Sequence, residues 1–220
     1  MREITRLPAG ELEHKAERDE GRIERLLGDA IKRSGRKLVV LDDDPTGVQT
    51  VHDVSVYTDW SEESVLQGFQ EEGNLFYILT NSRGFTEDET KKAHQEIAGN
   101  IVKAARKTGR DFLIMSRGDS TLRGHYPLET QVLRDVLSRE GQQETDGEVI
   151  CPFFKEGGRF TIGNIHYVRY GRGTGACGGR RNLPPTGLLD IVPPIWLIMW
   201  RRRRKAPIRL VKSSASAWTT

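Results

Sequence analysis

Short apolar runs alternate with amphipathic segments between residues 35 and 154, and this alternation restricts the fold more than any other feature of the chain. The runs are rich in β-branched and aromatic residues, which predicts strands. Five strands are predicted: KLVVL at 37–41, VSVYT at 54–58, LFYILT at 75–80, DFLIMS at 111–116 and EVICPFF at 148–154. Strands that alternate with helices typically form a parallel sheet. We therefore predict an α/β fold with a parallel or mostly parallel sheet and helices on both faces, in three layers.

The predicted helices have recognisable start signals. Ser61 is expected to cap the segment that follows VSVYT, and Thr86 with Glu89 forms a capping box ahead of a helix over 87–107. Another helix is predicted over about 126–140. Residues 1–34 are expected to be an N-terminal helical extension with an apolar stripe in 11–34. Cys151, inside the fifth predicted strand, is expected to be a small buried residue rather than a nucleophile.

Polar, glycine-containing clusters follow four of the predicted strands. They are DDDPTG at 42–47, TNSRGFT at 80–86, SRGDSTLRGH at 116–125 and KEGGRFT at 155–161. In open parallel sheets the ligand lies outside the carboxyl ends of the strands. We therefore expect the four clusters to converge on one crevice.

The residue types in these clusters suit a polar, anionic ligand. Three carboxylates at one strand end repel one another, which favours a bound cation, a sugar hydroxyl or a proton-acceptor role over a solvated turn. Arg117 supplies a forked donor suited to a carboxylate, and Asp119 suits hydroxyl groups. A polar loop held by an internal Arg–Asp pair is the alternative. The chain lacks the G-x-x-x-x-G-K-[ST] phosphate-binding pattern.

Together the clusters resemble the four-carbon acid sugar kinase family. The DD-x-TG turn of that family is similar to Asp43–Gly47, and its threonine/serine-arginine segment is similar to Thr80–Arg83. Its S-R-x-D-S-T-x-R-G-H segment is matched in full by Ser116–His125. The resemblance covers about residues 35–170, which we take as a sugar-acid-binding domain. The longer DDPTGVQTVHDV segment after the first strand departs from the pattern and is typical of a subset of the family.

The resemblance implies an ATP- and Mg²⁺-dependent kinase that phosphorylates a threonate- or erythronate-type acid. This domain would bind the acid, and a second domain, missing from this chain, would bind ATP. Asp43 or Asp44 would position or deprotonate the attacking hydroxyl, and Arg117 with Arg123 would hold the carboxylate. The other residues expected at the substrate are Thr46, Asn81, Ser82, Arg83, Ser116, Asp119, Ser120, His125 and Arg159.

Composition changes abruptly near Tyr170. Residues 1–170 hold 24 Lys and Arg against 30 Asp and Glu, a net charge of −6, whereas residues 171–220 hold 10 against a single acid, a net charge of +9. One permitted codon spelling of 193–208, read one base earlier, encodes Ser-Ser-Asp-Leu-Ala-Asp-Tyr-Val-Glu-Glu-Lys-Thr-Lys-Gly-Ala-Tyr, which is a capped amphipathic helix. We therefore predict that 171–220 is a non-native, disordered tail read out of frame. A genuine basic tail that binds nucleic acid or an anionic membrane is the alternative.

Two other function classes stay open. Asp42-x-Asp44-x-Thr46 also fits the D-x-D-x-T pattern of haloacid dehalogenase-like, Mg²⁺-dependent phosphatases, although no downstream acidic pair completes a metal site. The second class is a non-catalytic sugar-acid-binding fragment. Kinase turnover by this chain alone is not expected, because nothing in it supplies a nucleotide site.

The charge and the apolar runs of the sequence predict where the protein is located and what it binds. The charged N-terminus lacks the apolar core of a signal peptide, and the longest apolar run, IWLIMW at 195–200, is too short to span a membrane. We therefore expect a cytoplasmic protein whose partner is a small sugar acid, with neither a membrane nor a nucleic acid bound. The sequence leaves the oligomeric state open.

Overall fold

The computed structural model describes residues 6–8, 19–46, 51–119, 124–142, 147–154, 156–162, 165–170 and 173–176. The chain divides into two units, one formed by residues 21–149 and the other by residues 1–20 with 150–220. In chain order the elements are β1 (Arg6–Pro8), α1 (Glu20–Ser34), β2 (Lys37–Asp42), β3 (Ser55–Tyr57), α2 (Glu62–Gln70), β4 (Leu75–Leu79), a 3-10 helix (Ser82–Gly84), α3 (Glu87–Thr108), β5 (Phe112–Arg117), α4 (Leu128–Arg139), β6 (Arg159–Ile162), β7 (Ile165–Tyr170) and β8 (Gly173–Ala176). No helix in the described part is both long and apolar enough to cross a membrane.

The unit of residues 21–149 is built on one four-stranded sheet. Its strand order is β3-β4-β2-β5, and every pairing is parallel. Val39 in β2 lies opposite Phe76 of β4 on one side and Ile114 of β5 on the other. The predicted α/β fold with a parallel sheet is confirmed, and four of the five predicted strands form where the sequence placed them.

One face of the sheet forms the hydrophobic core with α2, α3 and α4. Residues in register on parallel strands share a face, so Val39, Phe76 and Ile114 point the same way. Phe76 is fully buried and makes an edge-on ring contact with Phe69 of α2, with centroids 5.8 Å apart. Further core residues are Leu41, Val65, Ile78, Ile97, Ala98, Ile101, Ala104, Leu133 and Val136.

The longest helix, α3, has both its start and its end specified by residues close to them in the sequence. The hydroxyl of Thr86 accepts a hydrogen bond from the amide of Glu89, and the Glu89 carboxylate accepts one from the amide of Thr86, which is the predicted capping box. The helix ends at Gly109, whose φ of 64° lies in the left-handed region that favours glycine. Ser61 likewise caps α2, as predicted.

The fifth predicted strand, at 148–154, is wrong. All of these residues are described, and only Phe154 makes a strand-type bridge, to Arg159. Pro152 lies inside the run and has no N–H to donate to a neighbouring strand. Val149 is 93% exposed, and Cys151 is exposed rather than buried. The parallel sheet therefore ends at β5.

The second unit contains an antiparallel sheet that the sequence did not predict. Its strand order is β1-β8-β7-β6, with Arg159 of β6 opposite Val168 of β7. Strand β8 lies within 171–220, the range for which we expected no regular structure. Residues 177–220, including the arginine run, lie outside the described residues.

Candidate functional site

Three chain segments meet where β2, β4 and β5 end. Asp42, the last residue of β2, lies opposite Leu79 of β4 and Arg117 of β5. The amide of Thr80 donates to the carbonyl of Asp42 over 2.8 Å, and the amide of Asp43 donates to the carbonyl of Arg117 over 3.3 Å. The DDDPTG, TNSRGFT and SRGDSTLRGH clusters therefore converge at the carboxyl edge of the sheet, through residues 42–46, 80–86 and 116–119 of the described chain.

The carboxylate of Asp43 accepts hydrogen bonds from two other chain segments. Arg83 donates through Nε to Oδ2 over 3.2 Å and through Nη2 to Oδ1 over 2.8 Å, which is a two-pronged arginine–carboxylate pair. The amide of Asp119 also donates to Oδ2, over 3.2 Å. The Asp43 side chain is only 4% exposed. Its negative charge is thus compensated by a guanidinium and a backbone dipole, which is what a buried carboxylate requires.

Asp44 shares the same arginine. Its Oδ2 accepts from Arg83 Nη1, and its Oδ1 accepts from both the amide and the hydroxyl of Thr46. Burial opposes ionisation of Asp44, but the Thr46 hydrogen bonds and the charges of Arg83 and Arg117 outweigh it and lower the pKa of this carboxyl. Asp44 is therefore suited to accepting hydrogen bonds and is a weak base.

Asp42 lies in a different environment from its two neighbours. Arg117 Nη1 donates to Asp42 Oδ1 over 2.9 Å, and the amide of Asp44 donates to the same oxygen over 3.3 Å. Oδ2 is buried and has no hydrogen-bond partner among the described residues. Burial raises the pKa of Asp42, against the lowering effect of Arg117. The surroundings of Asp42 therefore disfavour its charged form.

The burial of Asp42 bears on the phosphatase alternative. A haloacid dehalogenase-like enzyme would use this first aspartate as a nucleophile, but Asp42 is 1% exposed and one of its oxygens is occupied by Arg117. The described residues contain no group of three His, Cys, Asp or Glu side chains placed to hold a metal ion. The phosphatase hypothesis is therefore not favoured.

The loop after β4 aims Arg83 at Asp43. Asn81 adopts a φ of 52°, a left-handed conformation that asparagine tolerates better than most residues. The chain then turns through Ser82–Gly84, and buried Ser82 shares a hydrogen bond of 2.9 Å with the hydroxyl of Thr80. The amide of Arg83 donates to the carbonyl of Asp43 over 3.2 Å. Backbone and side chain of Arg83 are thus fixed on the same aspartate.

Glu129 and Gly124 border this cluster, and sequence reasoning missed both. A side-chain carbon at Gly124 would lie 3.4 Å from Asp43 Oδ2 and 3.4 Å from Glu129 Oε1, so the glycine lies between two carboxylates. Glu129 is 3% exposed in the first turn of α4 and accepts from the amide of His125 over 3.3 Å. A buried acid in a first helical turn fits the favourable dipole there, and that position was the available signal.

The structure does not assign every expected site residue to this cluster. Ser116 shares a face of the sheet with Leu41, opposite to the face of Asp42 and Arg117. Arg159 belongs to the second unit, where its guanidinium lies over the ring of Phe154 at 5.5 Å. Ser120 and Arg123 lie outside the described residues. The site residues brought together in the described part are Asp43, Asp44, Thr46, Asn81, Ser82, Arg83, Arg117, Asp119 and His125.

The described cluster combines four aspartates with two arginines. Asp42, Asp43 and Asp44 accept from Arg83 or Arg117. Burial lowers the pKa of Arg83, but the hydrogen bond to Asp43 and the negative charges of Asp43, Asp119 and Asp44 outweigh it and raise that pKa. Such a site offers several hydrogen-bond acceptors next to planar, forked donors. A ligand that carries both hydroxyl groups and an anionic group fits this combination of groups.

Comparison with known protein families gives a match. The family described as a sugar-binding N-terminal domain matches residues 38–181. The matched range includes all but the first residue of the parallel sheet and the whole Asp–Arg cluster, and it runs past Tyr170. No curated protein matches the chain.

Proposed function

The chain belongs to the family of sugar-binding N-terminal domains, and we propose that it is the substrate-binding half of an ATP-dependent kinase for a four-carbon sugar acid of the threonate or erythronate type. The observation that carries this proposal is the pair of arginine–aspartate contacts, Arg83 with Asp43 and Arg117 with Asp42, at the ends of three neighbouring parallel strands. Ligands of such sheets bind at this edge.

The groups at this edge suit the two parts of a sugar acid. A guanidinium has five N–H donors, so Arg117, whose side chain is 29% exposed, retains donors for a ligand carboxylate beyond the one it gives to Asp42. The aspartates accept hydrogen bonds and so suit the hydroxyl groups of the ligand. Asp43 or Asp44 would position the attacking hydroxyl, and the low pKa of Asp44 favours positioning over proton abstraction for that residue.

The nucleotide is assigned to a separate domain. Phosphoryl transfer depends mainly on positioning and on neutralising phosphate charge, usually with Mg²⁺. The described residues include no cluster of three or more His, Cys, Asp or Glu side chains placed to hold a metal ion, and the chain lacks the G-x-x-x-x-G-K-[ST] phosphate-binding pattern. We therefore assign ATP and Mg²⁺ to a second domain, and the role proposed for this chain is to hold and orient the acid.

Calorimetric titration of the purified 220-residue protein tests the proposal. The panel contains threonate, erythronate and the neutral polyol erythritol. We expect one of the acids to bind and erythritol to bind about tenfold more weakly, because it lacks the carboxylate that Arg117 would hold. Arg117→Ala should remove that difference. Equal binding of acid and polyol by the unaltered protein, or no binding of any compound, would contradict the proposal.

Turnover is tested in the same preparation. We expect no ATP-dependent phosphorylation of the panel by this chain alone, and product formation would show that the chain contains a nucleotide site. Release of phosphate from a phosphorylated sugar acid, lost in Asp42→Asn, would favour the phosphatase class instead.

A further inference from the structure

His125 connects two of the converging segments. It is 9% exposed, and its ring Nε2 lies 2.7 Å from the carbonyl oxygen of Phe85. A carbonyl can only accept, so Nε2 carries the proton in this bond. Phe85 directly follows the short helix Ser82–Gly84, and its amide donates to the carbonyl of Ser82. The imidazole is therefore bonded to the loop that carries Arg83.

The backbone of His125 is built into the start of α4. Its carbonyl accepts from the amide of Leu128 over 2.7 Å, and its amide donates to Glu129 Oε1 over 3.3 Å. Both polar ends of the residue are thus committed to α4, while the ring reaches across to Phe85. One residue spans the distance between the β5–α4 connection and the β4–α3 connection.

The loop that carries Arg83 is consequently held at two points. On one side, the amide and guanidinium of Arg83 bond to Asp43. On the other side, two residues along the chain, the carbonyl of Phe85 bonds to His125. A planar guanidinium pairs with a carboxylate only within a narrow range of angles, so the position of its loop decides whether the pair forms.

We propose that His125 is a positioning residue that fixes the Ser82–Phe85 loop to the start of α4 and thereby keeps Arg83 aligned on Asp43. This inference deepens the proposed function and rests on it for its consequence in ligand binding. The buried ring and its bond to Phe85 support this role in place of the direct sugar contact that the sequence suggested for His125. The loop bond itself exists whether or not a sugar acid is the ligand.

His94 provides a matched control inside the same chain. It is also buried, at 2% exposure, and it lies close enough to His125 for the charge of His125 to contribute to lowering its pKa, after the larger effect of burial. Its Nδ1 bonds to the carbonyl of Thr90, four residues earlier in α3. Replacing His94 therefore disturbs the same region without cutting a bond between loops.

The test measures hydrogen exchange at the amide of Arg83, which bonds to the carbonyl of Asp43, in full-length His125→Leu, His125→Gln and His94→Leu proteins. Loss of one hydrogen bond corresponds to roughly tenfold in an opening equilibrium, so exchange should be about tenfold faster in His125→Leu. His125→Gln retains an N–H donor and should restore most of the protection. His94→Leu should leave Arg83 exchange within about threefold of the unaltered protein.

Unchanged exchange in His125→Leu, or equal acceleration in His125→Leu and His94→Leu, would overturn the inference. Titration with threonate and erythronate is run on the same proteins, and affinity should fall in His125→Leu and recover in His125→Gln. If exchange behaves as expected but neither acid binds the unaltered protein, the loop bond stands and the proposed function fails. If an acid binds equally to all variants, the positioning role fails and the proposed function stands.

Discussion

Arg83 and Asp43, forty residues apart in the chain, lie side by side, with two N–H groups of the guanidinium directed at the two oxygens of the carboxylate. Asp43 is nearly inaccessible to solvent and Arg83 is 19% exposed, so water competes little for either group. This pair joins the end of β2 to the loop after β4. We expect it to contribute more to stability than the ion pairs on the protein surface.

A double-mutant cycle with Arg83→Gln and Asp43→Asn measures this contribution. We expect a coupling free energy of about 2 kcal/mol, because each single change leaves a poorly solvated partner uncompensated. Urea unfolding at neutral pH, followed by circular dichroism, gives the four free energies of unfolding. The control cycle uses Glu62 and Lys107, whose side chains are 40% and 54% exposed, and should give a clearly smaller coupling free energy because both groups are solvated. Equal couplings in the two cycles would contradict the expectation.

Gly68 in α2 is required by the ring of Phe76. A side-chain carbon at this position would come 2.7 Å from two ring atoms of Phe76, which is fully buried and cannot move away. Gly68→Ala should therefore lower the free energy of unfolding by about 1–3 kcal/mol through overpacking, despite the higher helix propensity of alanine. Gly99→Ala in α3 meets nothing within 4 Å and should raise it by up to about 1 kcal/mol. Chemical denaturation should therefore show a lower free energy of unfolding for Gly68→Ala and a higher one for Gly99→Ala than for the unaltered protein.

The location of the site could be predicted from the sequence because open parallel sheets bind their ligands at the carboxyl ends of the strands. KLVVL must be a buried strand, Asp42 follows it at once, and parallel strands bring their carboxyl ends to one edge. The pairing within the site could not be predicted. Any of three adjacent aspartates could accept from either arginine, and only the register, which sets Asp42 opposite Arg117, leaves Asp43 and Asp44 to Arg83.

The strand predicted at 148–154 shows where local propensity misleads. Val149, Ile150 and Phe153 favour a strand, but a strand exists only where neighbouring backbone groups can bond to it. Pro152 removes a donor from the middle of the run, and Val149 and Phe153 are exposed. The hydrogen bond between the His125 ring and Phe85 could not be predicted from the sequence either. The two residues are forty positions apart, and nothing in the neighbours of His125 along the chain indicates that its ring bonds to Phe85.

The coding DNA gives a direct test of the frame prediction for residues 171–220. We expect a one-base insertion or deletion near the codon for Tyr170, and an open displaced frame that encodes the capped helix derived from 193–208. The family match continues to residue 181, so the codons that follow this residue are inspected together with those near Tyr170. Sequencing the genomic locus and the transcript settles the matter. An intact frame with no shift, translated as printed, would support a genuine basic tail.

Asp42 and Asp44 should affect stability with opposite signs, although they lie two residues apart. The pKa of Asp44 is lowered on folding, so its contribution stabilises the protein above the usual carboxyl pKa of 3.8 and is lost as pH falls through the lower folded value. The pKa of Asp42 is raised on folding, so its ionised form costs stability at neutral pH, and that cost disappears as pH falls below 3.8.

Urea unfolding of Asp42→Asn and Asp44→Asn between pH 3 and pH 7 measures both effects. At pH 7, Asp44→Asn should lower the free energy of unfolding by about 1 kcal/mol, because it weakens the bonds with Arg83 and Thr46. Asp42→Asn should leave it unchanged or raise it, because the amide oxygen can still accept from Arg117 while the buried charge is removed. Both differences should shrink toward pH 3, where the carboxyl groups are protonated in the unaltered protein. A loss in Asp42→Asn as large as in Asp44→Asn at pH 7 would mean that the bond to Arg117, rather than burial, dominates at Asp42.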